Sequence, residues 1–316
     1  MSVANGNTAT ATTVIADTRR AYRGRFAPSP SGALHLGSLA AALGSWLDAR
    51  HHGGTWLIRI EDLDTPRTVP GAAEEMVRTL AACGLESDEG PLLHQSTRTE
   101  AYAAAFDELS RAGLTYPCSC RRRDTSAGAC GGNCRHGVEG PPPWAWRLRM
   151  PESGECTFED GFQGPQRFGW RSLGDPVIRR RDGLHAYQLA VVVDDGAQGI
   201  TDVVRGADLL DATPWQLEIR RLLFGGSPRH AHLPLVRDPE GRKLSKSGSA
   251  AAIARLAPAA ALAAALAALQ QTPPEGLADE PPLRVLDWAL AHWNPARLAE
   301  TARLIANDSD LGFNPA

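Results

Sequence analysis

The stretch Pro28-Ser29-Pro30-Ser31-Gly32 places the tightest limit on how this chain folds. Two prolines with preset φ, two serines and a glycine within five residues are turn chemistry, not the interior of a helix or strand. A short run over 24–28 ends on this turn. Beyond it, apolar residues recur at Leu36, Leu39, Leu43 and Leu47, the spacing of one helix face. The pattern predicts a strand that passes directly into a helix beginning near His35. Gly53-Gly54 closes that helix, residues 55–60 read as a second strand, and a helix follows over about 71–82. Strand, helix, strand, helix in that order predicts an α/β fold, a parallel sheet with helices on its faces.

Farther along, 97–112 has helical spacing, whereas 118–143 is dense in Cys, Gly, Arg and Pro and reads as an inserted knuckle with a linker. Residues 144–181 alternate through short strand-like pieces, a small α+β insertion. Regular patterning resumes at 186–193, and 214–224 forms an amphipathic helix. After Ser247 the chain turns Ala-rich to about 271, then Pro-rich, then helical again. The expected division is a disordered extension over 1–20, a core split between 21–115 and 181–250, an insertion over 116–180, and a short helical tail over 251–316. The extension is rich in Ala, Thr and Asn, with too little apolar surface to offset the entropy of ordering. It also lacks the basic start and apolar core of a secretory signal. No apolar run approaches the roughly 18 residues of a membrane span, so no membrane partner is expected, and the setting is read as cytoplasmic.

With a formal net charge of −3, the chain is no globally basic binder of polyanions. Contact with nucleic acid would have to come from local clusters such as Arg121-Arg122-Arg123 and Arg179-Arg180-Arg181, which taken alone read more readily as solvated surface. Six cysteines without a secretory signal suggest a reducing compartment. Four of them fall in Cys118-Ser119-Cys120 and Cys130-Gly131-Gly132-Asn133-Cys134. Two close pairs joined by a Gly-containing loop fit one tetrahedral structural zinc ion (Zn2+), a reading favoured over disulfides or spare thiols. Cys83 and Cys156 have no sequence partners and read as buried small hydrophobes.

Two segments carry candidate chemistry. The turn at 28–32 delivers His35 and Gly37 to the first turn of a helix, whose free N–H groups and dipole make a seat for phosphate. Gly37 would allow close approach of a nucleotide, and His35 could donate to a phosphate oxygen; a plain capped corner is the alternative. Lys243-Leu244-Ser245-Lys246-Ser247 follows a Gly-containing loop and suits a mobile clamp over a triphosphate, or else a solvated basic loop. Together the two segments resemble the HIGH and KMSKS signatures of the class I aminoacyl-tRNA synthetases, with Ser38 in place of the final histidine and Leu244 in place of methionine. The resemblance implies a Rossmann-like parallel sheet carrying the inserted zinc knuckle. It further implies ATP held by His35, Gly37, Ser38, Lys243, Ser245 and Lys246 together with Mg2+, and catalysis by His35, Lys243 and Lys246. Asp62 and Asp64 could hold the magnesium or be structural partners of Arg67.

Residues 24–32, 59–67 and 204–210 resemble the glutamyl branch of that family. As a set they suit a ligand with two carboxylates and one ammonium. Arg25 and Arg205 can each meet a carboxylate by planar two-point recognition, Glu61 can hold the ammonium, and Tyr187 can donate its hydroxyl. The resemblance implies Arg25 and Tyr187 at the glutamate side chain, with Glu61 and Arg205 toward its backbone. Phe26, Ala27, Pro28 and Ser29 would complete the L-glutamate site. A zinc knuckle on such a core, with only residues 248–316 after the lysine loop, is similar to truncated members of the branch. This implies transfer of glutamate to queuosine in the anticodon of tRNA(Asp) by a monomer. A short synthetase charging tRNA(Glu), a non-catalytic RNA-binding paralogue and a ligase for a small acceptor stay open.

Overall fold

The computed structural model describes residues 12–13, 21–121, 132–235 and 256–299. Its first half follows the predicted order. Strand β2 (Arg23–Phe26) runs through the proline turn into α1 (Leu36–His51), and β3 (Thr55–Ile60), α2 (Ala72–Ala82), β4 (Leu93–His94) and α3 (Thr99–Arg111) follow. β2, β3 and β4 form a parallel sheet in which Arg25 lies beside Leu57 and Arg59 beside Leu93. His35 caps α1, its ring Nδ1 accepting from Ser38 N at 3.1 Å. The helix stops where the chain turns at Gly53 and Gly54. A side chain at residue 54 would lie 2.6 Å from the Tyr22 carbonyl oxygen, so only glycine lets β3 start beside β2.

α1 is covered on nearly all sides. Leu39, Leu43 and Leu47 are fully buried, and each such side chain contributes about 1.5–3 kcal/mol relative to an exposed one. One face meets β2 and the later core strand β10 (Asp202–Gly206). Another meets the Ala-rich helix α7 (Pro258–Ala268), and α8 (Pro282–Ala291) packs behind α7. The tail is therefore part of the same apolar core, which Leu262, Leu266, Val285 and Leu298 enter. A second core gathers Tyr102, Phe106 and Leu109 of α3 with α5 (Tyr187–Ala197) and α6 (Thr213–Leu223).

β10 pairs in parallel with β11 (Arg229–Leu233), setting Arg205 beside His232. Thr201 ties this pair to the first sheet, donating its N–H to Arg23 O at 3.0 Å and accepting from Arg23 N through its hydroxyl at 2.7 Å. The insertion makes two contributions. β5 (Thr115–Cys118), β6 (Ala145–Leu148) and β9 (Val177–Arg179) form a small antiparallel sheet. The hairpin of β7 (Glu155–Asp160) and β8 (Gly164–Gly169) instead joins the core, β7 lying parallel to β11 with Asp160 opposite His230. β1 (Thr12–Thr13) pairs in parallel with Cys156–Thr157 of β7; the remainder of 1–20 lies outside the described residues. One short helix, α4 (Trp170–Leu173), follows the hairpin. No helix among the described residues is long and apolar enough to cross a membrane.

Candidate active site

Parallel strands expose their carboxyl ends at one edge, and ligands of open α/β sheets sit in the crevice there. Here that edge holds a cleft of about 280 Å³. Arg25 through Ser29 line it from the end of β2, His35, Gly37 and Ser38 from the start of α1, and Tyr187 from the start of α5. Arg205, Gly206 and Asp208 enter from the end of β10. Every cleft residue expected from the first half of the chain is thus at one place, apart from Glu61. Lys243, Ser245 and Lys246 lie outside the described residues, as does Cys130.

At the helix start, His35 Nδ1 accepts from Ser38 N, so the ring proton sits on Nε2, 3.0 Å from Ser38 Oγ. Both ring nitrogens therefore face Ser38, and a phosphate oxygen would compete with that hydroxyl for Nε2–H. The N–H groups of Leu36 and Gly37 belong to the first turn, where no intrahelical acceptor exists, and they stay available to an anion. Gly37 has a second role that its spacing did not reveal. A Cβ there would lie 3.2 Å from His35 Nδ1, so the missing side chain makes room for the imidazole.

Beneath the cleft lies a buried ionic network. Arg25 donates to Asp195 through Nε at 3.0 Å and Nη2 at 3.3 Å. Arg59, fully buried, donates to Asp195 at 2.7 Å, to Gln198 at 2.9 Å and to Glu61 at 3.1 Å. Burial alone would raise the Asp195 pKa, but Arg25 and Arg59 outweigh it and hold the carboxyl well below the usual range. Glu61 goes the other way: burial lifts it above its ordinary value against the pull of Arg59 and Arg25. With one edge of Arg25 taken by Asp195, its Nη1 has no partner among the described residues and is the end open to a ligand.

Arg205 is only 6% exposed and meets no carboxylate directly among the described residues. Its nitrogens donate to His232 at 3.0 Å, Gln216 at 2.7 Å, Thr213 at 2.9 Å and Leu209 O at 3.3 Å, with a longer contact of 3.4 Å to the Tyr187 hydroxyl. Burial of this cation lowers its pKa. The geometry groups Tyr187 with Arg205, whereas Glu61 lies below the cleft floor, held by Arg59.

Other groups singled out in the sequence have protein partners in the structure. Asp62 accepts from Ser96 N and Oγ at 2.8 and 2.7 Å, and Asp64 is paired with Arg67 and Arg180. Arg181 donates to the carbonyls of Ser119 and Cys120, and Arg179 lies over the Phe106 ring. Cys118, Cys120 and Cys134 bring their sulfurs within 4.8 Å of one another. Cys120 and Cys134 are 3.6 Å apart, too far for a disulfide and close to the roughly 3.8 Å edge of a tetrahedron with 2.3 Å zinc–sulfur bonds. Arg147 donates to Cys118 Sγ at 3.1 Å. The donor set fits a zinc ion. Cys83 and Cys156 are buried thiols pushed up to about 11 and about 12 by burial.

Sequence reasoning missed Arg59, Asp195 and His232. A signal existed for two of them. Asp194-Asp195 follows Val191-Val192-Val193, and Arg59 interrupts the apolar run of β3. Charges inside runs that must be buried call for partners.

Comparison with known proteins agrees with this geometry. The family described as tRNA synthetases class I (E and Q), catalytic domain, matches residues 21–127 and 132–256. A glutamyl-Q tRNA(Asp) synthetase of Xanthomonas campestris pv. campestris is 51% identical over 288 residues, covering 90% of this chain and 96% of that protein. One from Pseudomonas aeruginosa is 50% identical over 287 residues, covering 90% and 97%. Among solved structures, a glutamate tRNA ligase from Elizabethkingia meningosepticum in complex with its amino acid superposes with a TM-score of 0.70 at 24% identity. That match covers 90% of this chain and 68% of that one, a likeness of fold.

Proposed function

The chain belongs to the class I tRNA synthetases of the E and Q group, and on that premise we propose that it activates L-glutamate with ATP and transfers it to queuosine in the anticodon of tRNA(Asp). By that membership it is an ATP-dependent ligase. The observation that carries the amino acid is Arg205, a buried cation at the cleft wall with no carboxylate among its described partners. A ligand carboxylate would supply the missing counter-charge. Tyr187, 3.4 Å from Arg205, would act on the same carboxylate, the one on the glutamate side chain. Arg25 would offer Nη1 and Ser29 its hydroxyl from the end of β2, and the Glu61–Arg59 pair would set the charge near the ammonium. The acceptor is argued from relatives of that name at about half identity across nearly their whole length.

In the first step the glutamate α-carboxylate attacks the α-phosphorus of ATP and pyrophosphate leaves. A carboxylate is ionised at neutral pH, so no general base is needed, and the work is positioning and electrostatic stabilisation. The Leu36 and Gly37 N–H groups and His35 would hold phosphate oxygens, with Lys243 and Lys246 closing from their loop. Magnesium would neutralise triphosphate charge. Asp208 lines the cleft and would be the acidic group there among the described residues able to help hold it. In the second step a hydroxyl of queuosine attacks the acyl-adenylate carbonyl and AMP leaves.

The decisive assay supplies labelled glutamate and ATP with tRNA(Asp), with and without queuosine, and with tRNA(Glu). Exchange of pyrophosphate into ATP is expected with glutamate alone, and label is expected only on queuosine-containing tRNA(Asp). Label on tRNA(Glu) instead would replace the acceptor, and no glutamate-dependent exchange would end the proposal. For the knuckle, we expect about one zinc per chain by elemental analysis. Cys134→Ser should lower that content and loosen residues 115–148 in hydrogen exchange while exchange at the cleft edge changes little. Metal-free protein with unchanged protection would refute the site.

A further inference from the structure

Deepening the reading of Arg205 as the carboxylate-binding cation, we infer that the Asp160–His232 pair is a positioning device that fixes which side of Arg205 faces the substrate. An arginine Nε always carries hydrogen and can only donate. Nε of Arg205 points at His232 Nε2 at 3.0 Å, so that ring nitrogen must be the acceptor. The proton of a neutral ring then sits on Nδ1, which faces Asp160 Oδ2 at 2.5 Å. Asp160 is held in turn: its Oδ1 accepts from Phe162 N at 3.1 Å, Gln163 N at 2.9 Å and His232 N at 2.9 Å. Both side chains are fully buried, and His230 stacks on His232 at 6.1 Å. A donor–acceptor chain with one allowed direction therefore runs from the hairpin of the insertion, through the neighbouring parallel strand, to the cleft wall.

The device works by elimination. With Nε anchored on His232, and Nη2 on Thr213 and Leu209, the guanidinium cannot rotate about its long axis. Nη1 is itself held by Gln216 Oε1 at 2.7 Å, and its second hydrogen, in the long 3.4 Å contact with the Tyr187 hydroxyl, is the one on the cleft side that a substrate carboxylate can take. Nothing in the Asp160–His232 pair touches the ligand; it acts through Arg205.

Asp160→Asn separates this role from mere scaffolding. The asparagine carbonyl can take over the three backbone N–H groups, so the turn after β7 persists. Its amide now donates where Oδ2 accepted. The ring proton must move to Nε2, and two donors then face each other across the Arg205 contact. Isotope-labelled histidine read by nitrogen–proton correlation should show His232 protonated at Nδ1 in the parent and at Nε2 in Asp160→Asn. With nine histidines in the chain, the signal is assigned by its loss in His232→Gln. In pyrophosphate exchange the KM for glutamate should rise about tenfold or more, the scale of a hydrogen bond to a charged group, with the KM for ATP unchanged. Adding His232→Gln to Asp160→Asn restores an acceptor that no tautomer can invert and should recover most of that loss.

Three results overturn the proposal: a parent ring protonated at Nε2, an unchanged glutamate KM in Asp160→Asn, or equal rises for glutamate and ATP. Absence of glutamate-dependent exchange in the parent enzyme would instead defeat the functional reading, and the ring measurement would still decide the pair.

Discussion

Replacing Asp195 with asparagine is expected to lower the free energy of unfolding by about 3–5 kcal/mol, the cost of leaving buried charge unpaired. The change keeps the shape of the side chain and removes the carboxylate that Arg25 and Arg59 share. Arg59 would keep the Glu61 carboxylate on Nη2 and only the neutral Gln198 carbonyl on Nη1, while its Nε is already buried without a hydrogen-bond partner in the described residues. Urea titration at pH 7 reads the loss directly, and a change below about 1 kcal/mol would show that the network contributes little. Acid gives a second check. Because the folded-state pKa of Asp195 is depressed, its contribution is fully present above the unfolded value of about 3.9 and is lost as pH falls toward the folded one. The gap between parent and variant should therefore narrow only below that pH. Glu61 has the opposite sign. Its pKa is raised, so its ionisation opposes folding as pH climbs through about 4.3 and above, and because the Asp195 charge helps to raise it, that opposition should be weaker in the variant.

Arg205→Ala should have the reverse profile, a stable protein with a disabled site. Arg205 touches no carboxylate among the described residues, so its loss strands no buried charge; it leaves Gln216 Oε1 short of a donor, while His232 Nε2 keeps the Thr213 hydroxyl at 3.2 Å. Losing the cation opposite a substrate carboxylate typically costs 2–5 kcal/mol, and glutamate-dependent exchange should fall on the order of a hundred- to a thousandfold in kcat/KM. Arg205→Lys should not rescue it. A single ammonium cannot reproduce a planar group that engages His232, Gln216, Thr213 and the Leu209 carbonyl at once. Near-parent kinetics in the lysine variant would mean that charge alone, and not the fixed fork, selects the substrate.

Much of the frame was legible because it is local. The turn at Pro28–Gly32 and the leucine spacing after it locate β2 and α1, and the same periodicity locates β3, α2, α3 and α6. The cleft residues were legible through short motifs that sit at strand ends. What stayed hidden depends on distant segments meeting. Residues 186–193 open a helix, Tyr187–Ala197, yet Leu189 through Val193 are all buried, and an apolar run of that kind has no face to betray its period. Asp160 sits in a hairpin that reads as a peripheral insertion, and only its pairing beside β11 brings it to His232. A single strand pattern carries no label for its neighbour.

The shared carboxylate of Asp195 also sets a clock on biosynthesis. Arg59 and its partner are 136 residues apart, and Arg25 and the same partner 170. At about 5–20 residues per second, a ribosome delivers α5 on the order of 10 s after β3. Through that interval the emerging first half carries two arginines meant for its interior, with Glu61 as the only acid yet made for that network. Closing the sheet over them would bury uncompensated charge, so the early strands must wait, open, for the helix that neutralises them. The nascent chain is thereby kept from collapsing around an unfinished pocket, and a ribosome stalled anywhere before Asp195 should hold a first half that proteases readily cut.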